Sequence, residues 1–107
     1  MSALEKSNRV TPFLWFDKNA EEAVNFYLSV FKNSRRIGEL RSSLQTTVAP
    51  GEILTITFEL EGQEFVALNG GPDHQFNEAV SFFVRCETQQ EIDYYWEKLL
   101  ANPPAKS

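Results

Sequence analysis

Apolar and polar side chains alternate along residues 53–60, and this alternation is the clearest structural signal in the chain. The apolar set is Leu54, Ile56, Phe58 and Leu60, and the polar set is Thr55, Thr57 and Glu59. A period of two residues is typical of a half-buried β-strand. A second apolar segment follows at 63–71, with Gly62-Gln63 as a tight turn between the two. The pattern therefore predicts a β-hairpin.

The segment "NAEEAVNFYLSVFKNS" at 19–34 has the spacing of an amphipathic helix instead. Its apolar residues recur three or four positions apart. They are Ala20, Ala23, Val24, Tyr27, Leu28 and Phe31. Asn19 is a favourable N-cap, and Glu22 three residues later completes a pair like a capping box. The aromatic segment "VTPFLWFD" at 10–17 predicts a strand before this helix.

The later segments repeat this outline. Further strands are predicted at 35–44 and 79–87, and Thr88 is placed to cap a helix that ends at residue 100. The apolar stripe of that helix is Ile92, Tyr95, Trp96 and Leu99, with Leu100 beside it. The predicted order is β-α-β-β-β followed by β-α, an α+β fold in one domain. The second unit resembles the start of the first, which suggests an internal duplication.

Composition and charge reduce the number of function classes that fit this chain. The chain has 107 residues, of which 42% are hydrophobic, and this is enough apolar material for one globular domain. Its formal net charge is −5, and its basic residues are scattered. A nucleic-acid partner is therefore not expected, because binding to phosphates requires a basic surface.

The single cysteine, Cys86, excludes a disulfide within the chain and a thiolate metal cluster. We expect it to be an inert core thiol on the predicted strand at 79–87. The N-terminal segment lacks the apolar run of a signal peptide, and no later run has the length of a membrane span. A cytoplasmic protein without a membrane partner is the expectation.

Three segments carry a resemblance to a known family: "TPFLWFDKNAEEAVNFYLSVF", "FVALNGGP" and "FNEAVSFFVRCETQQEIDYYWEKL". Together they resemble the vicinal-oxygen-chelate superfamily of glyoxalases and bleomycin-resistance proteins. The branch they resemble is PhnB-like and is labelled 3-demethylubiquinone-9 3-methyltransferase. The resemblance implies two βαβββ modules, in which a mixed sheet curls around a cavity and the helices cover its outer face.

On this resemblance, residues 10–69 form the first module and residues 79–100 form part of a second. Full-length relatives continue with three more strands, whereas this chain ends at Ser107. Either the sequence is truncated or a second copy covers the open sheet, because an uncovered apolar edge favours association. We therefore expect a homodimer.

Metal-dependent members of the superfamily hold a metal with one ligand from each of four strands. Carried onto this sequence, three of those positions fall at Thr11 or Pro12, Phe65 and Ser81, and none is a histidine or a carboxylate. The fourth lies beyond the end of the chain. The only histidine, His74, is expected to be a solvated loop residue rather than an acid or base at a pocket mouth. The sequence thus predicts no metal and no catalytic residue.

The sequence also lacks the glycine-rich motif that the methyltransferase label would imply. Enzymes that bind S-adenosylmethionine in the usual fold have a glycine-rich turn between a parallel strand and a helix. Here "NGGP" follows a hairpin strand and opens no helix. We interpret it as a connector and expect no cofactor.

Strand alternation and the resemblance together predict a pocket for a small molecule. Alternation places positions 55, 57 and 59 toward a cavity, and Phe13 and Trp15 are preferred over Leu14 and Phe16 on the first strand. The resemblance adds the positions on the fourth and fifth strands. The predicted pocket residues are Phe13, Trp15, Thr55, Thr57, Glu59, Phe65, Ala67, Asn69, Ser81, Phe83 and Arg85. Aromatic walls with a few polar groups suit planar or cationic ligands.

Three hypotheses follow. The first is a metal-free, dimeric small-molecule-binding protein without catalysis. The second is an enzyme of the same superfamily (a lyase, a dioxygenase or a methyltransferase as labelled) in which Glu59, Arg85 or His74 transfers protons; a catalytic Glu59 should lie buried near Arg85. The third is an assembly module in which the same aromatic residues form a dimer core.

Overall fold

The computed structural model describes residues 9–43, 48–74 and 79–101. The elements, in chain order, are β1 (Phe13–Phe16), α1 (Ala20–Val30), β2 (Ser34–Arg41), β3 (Ile53–Leu60), β4 (Gln63–Asn69) and α2 (Gln89–Ala101). This order confirms the predicted β-α-β-β-β arrangement and the helix that follows it. The predictions for the first eight residues, for parts of the loops at 45–52 and 70–78, and for the last six residues lie outside the described residues.

The four strands form one mixed sheet in the order β1-β4-β3-β2. β1 pairs with β4 in parallel, while β4 pairs with β3 and β3 with β2 in antiparallel fashion. The parallel pair arises because α1 carries the chain from the end of β1 back across the sheet. β1 and β2 are consequently the two edges.

Helix α1 packs on one face of this sheet and forms the core with it. The buried cluster consists of Phe16, Ala20, Ala23, Val24, Ile56, Phe58, Phe65 and Ala67. Phe58 and Ile56 are the largest fully buried side chains, and each stabilises the fold by about 1.5–3 kcal/mol through burial alone. The alanines on the inner face of α1 let the helix approach the strands closely.

The start of α1 is held by a residue that is distant in sequence but pairs with the last residue of β1. Asn19 occupies the N-cap position but its side chain makes no capping hydrogen bond, so its half of the predicted capping box does not form. Instead, the backbone N–H of Ala20 donates to Oδ1 of Asn69 over 2.9 Å. The amide of Asn69 also donates to the carbonyl of Ile53 over 3.1 Å. One buried side chain thus ties α1 to β4 and to the start of β3.

The hairpin between β3 and β4 turns one residue earlier than predicted. Leu60 pairs with Gln63, so the turn is Glu61-Gly62. Both turn residues have positive φ, 50° and 88°. This is the signature of a type I′ turn, whose twist matches that of the flanking strands.

The predicted strand at 79–87 is absent from the structure: residues 81–86 form neither strand nor helix. A strand requires a neighbour to receive its backbone hydrogen bonds, and none of the described strands pairs with this segment. Phe82 packs edge-on against Phe65 at 5.4 Å, while Phe83 remains 89% exposed. Cys86 is half-buried and lies outside the buried cluster, so the prediction of a core thiol is wrong. The second half-module is therefore reduced to α2.

Helix α2 begins as predicted, because Oγ1 of Thr88 accepts the N–H of Glu91 over 3.1 Å. Its tyrosines dock it onto the end of α1. The Tyr94 hydroxyl donates to the carbonyl of Val30 over 2.8 Å, and Tyr95 stacks on Phe31 at 5.1 Å. Most of the predicted apolar stripe is not covered by this contact. Ile92, Trp96 and Leu100 are exposed.

Candidate functional site

The face of the sheet opposite α1 carries five of the eleven predicted pocket residues. We call it the open face and define it by Phe13, Trp15, Thr55, Thr57, Glu59, Val66 and Leu68. The register fixes this set, since Thr57 and Phe13 both pair with Val66, and Thr55 and Trp15 both pair with Leu68. Cross-strand partners project to the same side of a sheet. Five predicted pocket residues therefore share one surface.

No helix in the described part of the chain covers the open face. Phe13 is 65% exposed, and the two threonines are half-buried. An exposed phenyl ring beside a row of hydroxyl groups offers stacking together with hydrogen bonding. The surface can thus hold a flat ligand that bears polar groups.

Trp15 is fixed in place by the loop that follows β4. Its indole Nε1 donates to the carbonyl of Gly71 over 2.8 Å, and the ring of His74 meets it edge-on at 4.7 Å. Gly70 lies beneath the indole, where a Cβ would come within 2.5 Å of ring atoms Cε2 and Cζ2. The "NGGP" segment is thus more than a connector, because it seats Trp15 at one end of the open face. His74 itself is exposed, as a solvated loop residue would be.

Glu59 is held by a neighbouring strand rather than by Arg85. Its Oε1 accepts from Nε of Arg35 over 2.9 Å, and the side chains are 27% and 69% exposed respectively. Arg85 lies exposed in the segment before α2. The structure therefore does not form the Glu59–Arg85 pair that the acid–base hypothesis requires.

Three predicted pocket residues on β4 lie on the other face. Phe65 is paired with Phe58, and Ala67 with Ile56, so they belong to the core under α1. Asn69 continues the same alternation and binds the start of α1. The prediction that these residues face the same cavity as Thr55 and Thr57 is wrong, because the hairpin pairing sets their side. Whether any of them contributes to ligand binding stays a prediction.

Ser81, Phe83 and Arg85 are not part of the sheet. All three are exposed in the segment that forms no strand. The structure therefore does not bring them to the open face through strand pairing. Their assignment to the pocket depended on a fifth strand.

The sequence did not reveal a groove of about 530 Å³ on the side of the sheet that carries α1. Four charged residues line it: Lys18, Glu21, Arg41 and Glu52. Asn69 is the one predicted site residue that also lines it. The Pro50-Gly51 pair marked a turn in the sequence, and Gly51 has a φ of 89°, but a turn alone does not indicate a groove.

Among the described residues, no group of three or more His, Cys, Asp or Glu side chains is arranged to hold a metal ion. None of the described helices has the length and apolar character needed to cross a membrane.

Comparisons with known proteins place this fold in a family. Residues 8–107 match the family model described as 3-demethylubiquinone-9 3-methyltransferase. Among solved structures, the PhnB protein from Bacillus cereus is 38% identical, with a TM-score of 0.72, over 86% of this chain and 73% of that chain. A protein from Staphylococcus aureus is 28% identical, with a TM-score of 0.49, over 85% of this chain and 66% of that one. A comparison with curated proteins gives no match. Since the family model covers nearly the whole sequence, the chain belongs to the 3-demethylubiquinone-9 3-methyltransferase family of PhnB-like proteins.

Proposed function

We propose that this chain is a metal-free small-molecule-binding protein that uses the open face and acts as a homodimer. The observation that carries the proposal is the arrangement of Phe13, Trp15 and the two threonines on one face of the sheet, which no described helix covers. Apolar contact area combined with a few convergent polar groups is the composition typical of a ligand site. The ligand class is a planar organic molecule with hydrogen-bonding substituents.

The role of Trp15 supports binding over a purely structural use of this surface. Its hydrogen bond to Gly71 and its contact with His74 fix the indole before any ligand arrives. A fixed aromatic wall loses little side-chain entropy when it binds, so a flat ligand gains affinity from it. Thr55 and Thr57 then supply hydroxyl groups that can donate or accept.

The proposal of a homodimer is supported by apolar side chains that the described fold leaves exposed. Phe83 and Val80 precede α2, and Ile92 and Trp96 lie on it, all of them exposed. A second copy that buried this surface would remove several large apolar side chains from water, each contributing up to about 1.5–3 kcal/mol. Aromatic residues are enriched at such interfaces.

Catalysis is the competing function, and the family description names a methyl transfer. The described residues favour binding instead. Glu59, one of the three acid–base candidates of the enzymatic hypothesis, is engaged by Arg35. Gly70 packs against Trp15, so the glycine pair has a role in positioning that ring.

The test of ligand binding is a screen of small planar aromatic compounds, read from amide chemical shifts of the full chain. Compounds that bind as proposed shift Thr55, Thr57 and Leu68. Replacing Thr57 by Val removes one hydroxyl without changing shape and should weaken binding about two- to tenfold. The control is Ser29→Ala, which removes a hydroxyl from α1 on the other side of the sheet. Equal affinity of both variants would refute a role for the open face.

The dimer is tested separately by sedimentation equilibrium. Phe83→Asp places a charge where the proposed interface is apolar and should shift the protein toward monomer. Val10→Asp is the control, since Val10 is exposed but lies before β1. A wild-type protein that is monomeric at every concentration would contradict the homodimer and leave the binding test intact.

A further inference from the structure

We propose that the groove beside the N-terminal end of α1 is a second binding site, specific for a small zwitterion such as a free amino acid. It lies on the side of the sheet that carries α1 and shares no residue with the open face. Its volume of about 530 Å³ falls within the range of small-molecule sites. The site is therefore independent of the ligand proposed above.

The floor of the groove is built from three elements that one side chain joins. Asn69 is buried and lines the groove, with its Oδ1 bound to the N–H of Ala20 and its Nδ2 to the carbonyl of Ile53. These bonds fix the distance between the start of α1 and the start of β3. A floor that is fixed in this way does not have to be ordered by the ligand.

The wall opposite α1 is a hydrogen-bonded turn. The N–H of Ser42 donates to the carbonyl of Glu52 over 2.9 Å, and that of Gly51 donates back to Ser42 over 2.6 Å. Arg41 adds a bond from Nη1 to the carbonyl of Gly51 over 3.0 Å. Gly51 suits this position because its φ of 89° is costly for other residues. The turn thus presents Glu52 on a braced backbone.

The charges around the groove are balanced but not all neutralised. Glu21 pairs with Arg36, and Arg41 pairs with Glu39. Within the described residues, Lys18 and Glu52 line the same groove without an ion pair to each other or to another group.

This charge pattern selects the ligand class. A simple anion would be attracted by Lys18 and repelled by Glu52, and a simple cation would meet the reverse. A molecule with both charges can place its carboxylate at Lys18 and its ammonium at Glu52. Val48, Ala49 and Ile53 also line the groove and offer apolar contact to a small aliphatic side chain. An aliphatic amino acid satisfies all three requirements.

The experiment is an amide-shift titration of the full chain with three probes that share one side chain: L-leucine, N-acetyl-L-leucine and L-leucinamide. L-leucine carries both charges, whereas the other two carry only the negative and only the positive charge. We expect L-leucine to bind most tightly and to shift Gly51, Glu52 and Ile53. Equal affinity for all three probes, or no binding up to the solubility limit of L-leucine, would overturn the proposal.

Charge variants test which residues bind the probe. Lys18→Gln and Glu52→Gln should each weaken L-leucine about two- to fivefold, the range for exposed charge pairs. The controls Glu22→Gln and Lys98→Gln remove exposed charges outside the groove and should leave affinity unchanged. The exchanged double variant Lys18→Glu with Glu52→Lys keeps both charges, so it should regain affinity for a ligand bound in the reverse direction.

The shift pattern separates this proposal from the previous one. L-leucine shifts confined to Thr55, Thr57 and Leu68 would overturn the groove site and assign the amino acid to the open face. Loss of planar-ligand binding by Thr57→Val, with L-leucine binding retained, is the expected result if both sites exist.

Discussion

Substitution of Gly70 by Ala is the most informative single change, because it tests how Trp15 is positioned. The new Cβ would stand 2.5 Å from two atoms of the indole ring, which is closer than real side chains approach one another. Gly70 also donates its N–H to the carbonyl of Phe16 over 2.8 Å, so the backbone there cannot shift freely. The indole must therefore move.

The cost of that movement can be worked from the contacts of Trp15. Overpacking a closely packed position costs about 1–3 kcal/mol. Displacing the ring also threatens the hydrogen bond to Gly71, which contributes about 0.5–1.5 kcal/mol, and the aromatic contact with His74. Alanine offsets part of this by about 0.4–1 kcal/mol, because it restricts the unfolded chain. We expect a net loss of about 2 kcal/mol in the free energy of unfolding.

The assay is urea denaturation, with Gly38→Ala as the matched control. Gly38 lies in β2, and a Cβ there would meet nothing within 4 Å. The control should be neutral or stabilised by up to about 1 kcal/mol. In a Trp15→Ala background, Gly70→Ala should lose most of its cost, since the clash has no partner. If Gly70→Ala and Gly38→Ala proved equally stable, the close approach of Trp15 to Gly70 would be refuted.

Three further predictions concern stability. Asn69→Ala removes the cap of Ala20 and leaves the carbonyl of Ile53 without its partner, so it should lower the free energy of unfolding in urea by about 3 kcal/mol; a loss below about 1 kcal/mol would contradict the account. Burial raises the pKa of the Tyr27 phenol above its usual 10. The unfolded chain therefore loses the phenol proton at a lower pH than the folded chain, so the stabilisation by the protonated phenol is complete below pH 10 and is lost as pH rises above it. Tyr27→Phe should flatten this part of the curve of unfolding free energy against pH, and identical curves for the two proteins would argue against burial. Glu59→Gln breaks an exposed ion pair and should change the free energy of unfolding by less than about 1 kcal/mol, whereas a larger loss would indicate a buried role.

The order of elements could be predicted because each signal is local. Alternation at 53–60 and the three-to-four spacing after Asn19 reflect the geometry of one strand and one helix. The structure places β3 and α1 there. The signal for Thr88 as the N-cap of α2 is equally local, and the hydrogen bond from Glu91 confirms it.

The side assigned to Phe65 was wrong for a reason contained in the hairpin itself. Any two-residue turn after β3 at Glu61-Gly62, or one residue later, leaves Phe58 and Phe65 on the same side, because antiparallel partners share a face. The position carried over from the resemblance implied the opposite side. The pairing constraint acts within this chain and outweighs it.

The predictions of a strand at 79–87 and of a cap from the Asn19 side chain were wrong because both features depend on partners that are distant in sequence. Alternation shows that a segment can be a strand, but only a neighbouring strand makes it one. Likewise, nothing local to Ala20 indicates that Asn69 will accept its N–H, since the two are 49 positions apart. The groove was missed for the same reason, because its floor joins three separate elements through one side chain.

The central claim, a metal-free dimer that retains a small molecule, is tested most directly by native mass spectrometry. The untagged full chain should be purified without chelator, so that bound metal is not removed. The account predicts a dimer without stoichiometric metal, carrying the mass of a small organic molecule that Thr57→Val releases more readily. A monomer, or a protein with one divalent metal ion per chain, would contradict it.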